Sequence, residues 1–457
     1  MAHTLIKGGQ VVTMDDTLGD FERADVLVEN DRVLAVGPDL DVPAGAEIVD
    51  ASNRIVMPGF VNAHIHTWQT GLRGLGSDWT STNYFRAVHA GLAGFFRPAD
   101  IRIANLMGAL NQINQGVTTL VDWHHNNPTP DHTDAAVDGL EESGIRAVFL
   151  HGSPKPDPKP GQKPYSEIPM PRGEVERLRK GRLASDDALV TMGLAILGPQ
   201  MCTEEVLMSD LELAREYDLV TSLHHSNAAM LAPAGYRLAA GKGLIDRRFN
   251  VVHGNELTDA DLALLLENGA TFSVTAEVEM QMCYTDPLSG RLVALGGPIS
   301  VGSDVESAYA PDMFAVTRFS MQAERHLTSM RMKAVTGERP HPMPVTVRQA
   351  LGWATTGGAY AFRLDDRIGS LTPGKQADLV LLRADDLNII GVQDPAHAVV
   401  CYANPGNVDA VMIAGQFRKR DGRLLADGLA EKAAALVASG QRIVSDFRSS
   451  ATTAEFM

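Results

Sequence analysis

Between residues 59 and 304 the chain repeats one pattern. A short apolar run is followed by a stretch whose apolar positions recur at helical spacing. The apolar runs are GFVNAHIH (59–66), GVTTLVDWH (116–124), IRAVFLHG (145–152), LVTMGLAILGP (189–199), LVTSLHHS (219–226), NVVHG (250–254), ATFSVTA (270–276) and PISVGSD (298–304). Helical stretches such as DIRIANLMGALNQINQ, EEVLMSDLELAREYD and TDADLALLLENG fall between them. Eight strands alternating with helices predict an α/β fold of the (β/α)8, TIM-like barrel type. The competing doubly wound sheet lacks support, because no Gly-rich phosphate fingerprint follows the first strand.

The two ends of the chain read differently. TLIKGGQVVTM, ADVLVENDRVLAVG and AEIVDASNRIVMPG, near the start, are Val- and Ile-rich segments broken by Gly, Asn and Asp turns. IGSLTPGKQADLVLLRADD and VDAVMIAGQFRKRDGRLL, near the end, repeat that style. The pattern predicts one small β-sandwich domain built from both termini. Residues 1–58 form its first part and 366–457 its second part and a C-terminal tail, with the barrel over 59–365. Residues 151–182 break the rhythm: they are dense in Pro and Lys, which excludes continuous helix or strand. Following the third strand, they would lie on the active-site face of a barrel, as a lid, a pocket wall or a solvated loop.

A length of 457 residues suits one large domain plus a smaller one. With 44% hydrophobic and 21% charged residues, the composition is that of a folded globular chain. A formal net charge of −16 gives no electrostatic support to a nucleic-acid or anionic-membrane partner, so a small-molecule substrate is the expected partner. The three cysteines, Cys202, Cys283 and Cys401, are too scattered for a disulfide framework or a thiolate zinc cluster. With no signal-peptide pattern and no membrane-spanning apolar run, a cytoplasmic location is expected.

The chemistry is concentrated at strand ends. In PGFVNAHIHTWQTGLRG, His64 and His66 are two residues apart, so on a strand both imidazoles project to one side. His124 and His125 end the second strand, His224, His225 and Asn227 the fifth, His253 the sixth and Asp304 the eighth. In a barrel all these ends meet at one mouth. Such a cluster of neutral imidazoles and a carboxylate is a metal site.

Five stretches then carry a resemblance: MPGFVNAHIHTWQTGLRG, QGVTTLVDW, ILGPQMCTEEVL, VVHGNELTDADLALLLENGATFSVT and GSLTPGKQADLVLL. Nearly end to end, the chain resembles the amidohydrolase superfamily, in the branch of cytosine deaminases and chlorohydrolases. The resemblance implies a metallo-barrel with a flanking β-sandwich. It implies His64, His66, His224 and Asp304 as metal ligands, His253 as the histidine acting on substrate and nucleophile, and a homo-oligomer, as is common in the superfamily. Binuclear relatives carry a bridging lysine at the end of strand four. Gln200 stands near that tip here, in LGPQM, and one divalent ion per chain is expected, Zn²⁺ first, with Fe²⁺ or Co²⁺ as alternatives.

Two departures from the branch bear on substrate. Its deaminases carry His-x-x-Glu at strand five, where this chain has His224-His225-Ser226-Asn227. An amide has no usable pKa and cannot shuttle a proton. At strand seven, SVTAEVEMQM replaces the deaminase-like His-Asn-Pro-x-Ser-Asn. Both argue against ring deamination and for hydrolysis of a urea, amide or carbamate C–N bond, with His253 and Asp304 catalytic and Asn227 orienting substrate. Trp68, Trp123, His124, His125 and Met282 are candidate pocket residues. The EVEMQM…GSDVESAYAPDMF stretch and the HxxN motif resemble the phenylurea (diuron) and molinate hydrolases. That likeness implies cleavage of an N-aryl-N′,N′-dialkylurea to an aniline and a carbamate. The alternative is an aminohydrolase or chlorohydrolase acting on a triazine, purine or pyrimidine ring.

Overall fold

The computed structural model describes residues 1–226 and 228–450. Eight parallel strands form one sheet in chain order: β1 (Phe60–Ile65), β2 (Val117–His124), β3 (Arg146–Gly152), β4 (Val190–Ala195), β5 (Val220–His225), β6 (Phe249–His253), β7 (Thr271–Val274) and β8 (Ser300–Val301). The sheet curls into a nearly closed barrel. Its ends meet through a bridge between Ile65 and Asp304, where Asp304 N–H donates to His64 O and His66 N–H to Asp304 O, both at 2.9 Å. Gly302 permits that approach, since a Cβ there would stand 2.6 Å from the backbone N and O of His64.

Val61, Val121, Val148, Leu150, Val220 and Val252 come from five different strands and pack in one cluster with Phe362 and Leu364. Val61/Ala63, Val121/Trp123 and Val148/Leu150 are i, i+2 pairs, so each pair shares a face of its strand. Residues of non-adjacent strands touch only inside a barrel, so this cluster is the barrel's filling. A second, larger apolar layer lies between the strands and the surrounding helices.

The termini build a separate mixed sheet of nine strands. Arg54–Pro58 runs antiparallel to Leu379–Arg383, with Pro58 opposite Leu379 and Arg54 opposite Arg383. That pairing joins the N-terminal strands to Val408–Ile413 and its neighbours, over a core of Ile6, Val26, Val56, Leu379 and Met412. The last described helix, Leu429–Ser449, does not join the sheet. It packs on the barrel, where Ser439 Oγ donates to Asp100 Oδ1 at 2.6 Å and Gly440 lies against Gly71. This helix belongs to the C-terminal tail that follows the sheet's last strand.

Two excursions cover the barrel mouth. Residues 67–96, after β1, fold into short helical turns over Thr67–Leu72, Ser81–Tyr84, Phe85–His89 and Leu92–Phe95. The Pro-rich stretch after β3 is irregular at first, then forms a helix at Arg172–Lys180. Pro171 sits at that helix's N-cap, so the prolines precede the helix and do not interrupt it.

Candidate metal centre and active-site cavity

His64, His66, His224 and Asp304 converge at the mouth of the barrel, with one ligand atom of each within 4.8 Å of all the others. His64 Nε2 lies 3.2 Å and His66 Nε2 3.4 Å from Asp304 Oδ1, and His224 Nε2 lies 3.2 Å from His64 Nε2. Four ligands at ordinary zinc distances on a tetrahedron stand about 3.3–3.4 Å apart. The donor set therefore fits a small divalent ion in spacing and chemistry. Burial holds His64 at a pKa of about 3 and His224 well below the usual imidazole range, so both offer lone pairs at neutral pH. Burial opposes ionisation of Asp304, but hydrogen bonds with His64 and His66 outweigh it and keep the carboxylate charged. His66 Nδ1 donates to Trp123 O at 2.7 Å, which turns Nε2 toward the cluster.

Backbone strain marks the same place. His253 and Asp304 have φ of +68° and +61°, a region that L-residues with a side chain rarely adopt. The surrounding packing holds two non-glycine residues in left-handed conformation beside the candidate metal centre. Beyond His253, a short helix at Ala276–Gln281 follows β7. Its fully buried Glu279 places Oε1 3.2 Å from His253 Nδ1 and also accepts from Thr275 N at 2.7 Å. Burial would depress the His253 imidazole, yet Glu279 and Asp304 raise it above its ordinary value. Glu279 comes from EVEMQM, read above only as a departure from a deaminase pattern. In sequence, nothing separates it from the half-exposed Glu277 two residues earlier.

A small cavity opens over the cluster. His66, His224, His253 and Asp304 form one wall. His125 and Met282, two of the sequence-predicted pocket residues, also line it. Trp68, Trp123 and His124 do not. They are packed behind it, with the Trp123 ring 4.3 Å from His224 and His124 against Phe149. Aromatic and alternating strand residues near a barrel mouth divide between wall and filling, and sequence alone does not say which. His225 faces away and bonds the Tyr236 hydroxyl at 2.8 Å.

The rest of the wall comes from the two excursions and the β7 region. Tyr84, Phe85 and His89 enter from residues 67–96, Lys155 from the Pro-rich stretch, and Tyr284 from beyond the Glu279 helix. None was singled out by sequence reasoning. The only signal was an aromatic and histidine at helical spacing in NYFRAVHA, which reads equally as ordinary packing. Asn227 lies outside the described residues. Its neighbours are held by Gln200, whose side chain accepts from Ser226 N at 2.8 Å and donates to Ala228 O at 2.6 Å. Strand β4 ends at Ala195, so Gln200 belongs to the loop beyond it and acts as a clamp on the loop after β5.

The chain is similar to several proteins of known name. It is 26% identical over 443 residues to a 5-methylthioadenosine/S-adenosylhomocysteine deaminase of Symbiobacterium thermophilum, covering 92% of this chain and 94% of that protein. It is 29% identical over 424 residues to an 8-oxoguanine deaminase of Pseudomonas aeruginosa, covering 87% and 90%. Its fold matches a zinc-bound adenosine deaminase from Xanthomonas campestris with a TM-score of 0.79 at 22% identity, over 98% of this chain and 99% of that one. It also matches a zinc complex of the atrazine chlorohydrolase from Arthrobacter aurescens with a TM-score of 0.81 at 20% identity, over 96% and 100%. The amidohydrolase family model matches residues 55–418, and the chain belongs to that family.

Proposed function

We propose that this chain is a metal-dependent hydrolase that displaces an amino or halide group from a ring carbon of a nitrogen heteroaromatic substrate. The observation that carries this reading is the His64/His66/His224/Asp304 cluster on the wall of a small enclosed cavity, with His253 beside it and braced by Glu279. Its relatives by sequence are, by name, purine and nucleoside deaminases, and its fold neighbours include a triazine chlorohydrolase. These favour the ring-directed alternative over the N-aryl-N′,N′-dialkylurea reading, to which they lend no support.

One divalent ion at the four-residue cluster would supply Lewis acidity and an ionised water near neutral pH. The chain's own residues do the rest. Asp304 lines the cavity and would receive a proton of the attacking water, and His253, held by Glu279, lines the same space. Tyr84, Phe85 and Tyr284 line the cavity and would pack against a flat ring. Asn227 replaces the proton-shuttling glutamate of the related deaminases. In this reading it orients the ring through its amide and leaves proton transfer to other groups.

Product analysis tests the proposal. Zinc-loaded protein is offered adenine, guanine, cytosine, aminotriazine and chlorotriazine rings beside an arylurea, a carbamate and an anilide. Ammonia or chloride from a ring is the expected result. Aniline from the arylurea, with every ring left intact, would overturn it and restore the urea reading.

A further inference from the structure

Lys155 is the third residue beyond β3, in the Pro-rich stretch, and is 7% exposed. Its ammonium lies 5.0 Å from the ring centre of Trp123 and 5.9 Å from that of Phe85, on the cavity wall. Among the described residues it has neither a carboxylate partner nor a hydrogen bond. A buried charge without a partner costs stability, and a ligand of opposite charge would offset that cost. The groups near it are donors too. Tyr84 Oη accepts from Gln69 Nε2 at 2.6 Å, so its own proton is free for the cavity. Both ring nitrogens of His125 are buried and without partners among the described residues. The acidic groups of the site are already engaged, Asp304 with the histidine cluster and Glu279 with His253.

We infer that Lys155, with Tyr84 and His125, forms a subsite for an anionic or oxo-bearing edge of the substrate ring, so that ionised oxo-heterocycles are preferred to neutral amino rings of the same size. The inference rests on the ring-hydrolase reading for the shape of the ligand and on the unpaired ammonium for its charge. Lys155 binds and orients in this scheme and takes part in no bond making.

The probes are barbiturate, a six-membered oxo ring ionised at neutral pH, and uracil, its neutral counterpart. Binding is measured by titration calorimetry on full-length, zinc-loaded protein. A charge-assisted hydrogen bond is worth about 10-fold or more in affinity, so barbiturate should bind about 10-fold or more tighter than uracil. Lys155→Met should bring the two within about 2-fold, and Lys155→Arg should keep part of the preference. Lys155→Met should also raise the melting temperature, because it removes an unpaired buried charge and keeps the packing volume. Equal affinities in the unmutated protein, no binding of either ring, or a preference that survives Lys155→Met would overturn the subsite. So would a Lys155→Met chain that melts earlier, because Lys155 would then be a structural group. The two readings part cleanly. A Lys155-dependent preference without turnover of any ring keeps the subsite and removes the ring-hydrolase reading, and ring turnover indifferent to charge does the reverse.

Discussion

At the scale of single residues, the cluster and its bracing carboxylate have different jobs, and substitution should separate them. His66→Ala removes one of the four candidate ligands. It should lose the bound ion and the activity together, read by elemental analysis and turnover beside the unmutated chain. Retention of the metal would take His66 out of the site. Glu279→Gln keeps the volume and the bond to Thr275 but loses the charge that favours a protonated His253. It should leave metal content unchanged and lower kcat by about 10–100-fold, with the limb of the pH profile due to His253 moved to lower pH. A kcat within 2-fold of the parent would show that Glu279 is packing alone. Lys155 has a pH signature in stability. Burial lowers its pKa from 10.5 to about 8. Between those values the folded chain binds fewer protons than the unfolded one, so stability rises with pH in that window. The melting-temperature advantage of Lys155→Met should therefore be largest below pH 8 and shrink as the pH approaches 10.5, which scanning fluorimetry over that range would read.

At the scale of elements, the site depends on how β8 reaches β1. The eighth strand is only Ser300–Val301, and closure is left to the Ile65–Asp304 bridge and the side chain of Asn62. Asn62 Nδ2 donates to Ser303 Oγ at 2.7 Å, and its Oδ1 accepts from Ser303 N at 3.1 Å. Gly302→Ala would set a methyl carbon 2.6 Å from the His64 backbone and push apart the segments carrying three of the four candidate ligands. A loss of about 1–3 kcal/mol in unfolding free energy and weakened metal retention are expected, read by denaturant titration and elemental analysis. Unchanged stability would mean that the barrel seam is not tight. The sequence showed β1 and the tip at Asp304, but a two-residue strand is too short for any period to reveal.

At the scale of the molecule, the barrel and the terminal sheet are fastened by a buried ion pair. Arg146 begins β3, and its guanidinium donates to Asp378 at 2.7 and 3.1 Å with both side chains almost wholly enclosed. Apolar residues of the sheet's inner face, Ile55, Val380 and Val408 among them, continue into the barrel's outer core. Asp378→Ala would leave a buried arginine without its partner and should cost about 3–5 kcal/mol in chemical denaturation. A fragment of residues 59–365 would expose that apolar face as well and should be insoluble; a soluble, metal-binding fragment would show the barrel to be self-sufficient. Among the described residues no helix is long and apolar enough to cross a membrane.

The sequence by itself determined the eight-strand repeat, the pairing of the two ends in style, and a set of histidines and an aspartate at strand ends, from which only the family resemblance picked the four that meet at the candidate metal centre. These are local signals: an apolar run marks a strand, and i, i+2 spacing puts His64 and His66 on one side. What the tertiary structure alone decided is non-local. Glu279 is set against His253 across 26 residues of chain, and Lys155, Tyr84 and His89 reach the cavity from irregular excursions without a period to read. Trp68, Trp123 and His124 stand behind the wall because strand alternation gives two faces but not which face meets the void. The terminal helix chose the barrel over the sheet through contacts such as Ser439 with Asp100, which lie more than 300 residues apart. Strand periodicity is written in neighbouring residues. The shape and charge of a cavity are written in residues that become neighbours only on folding.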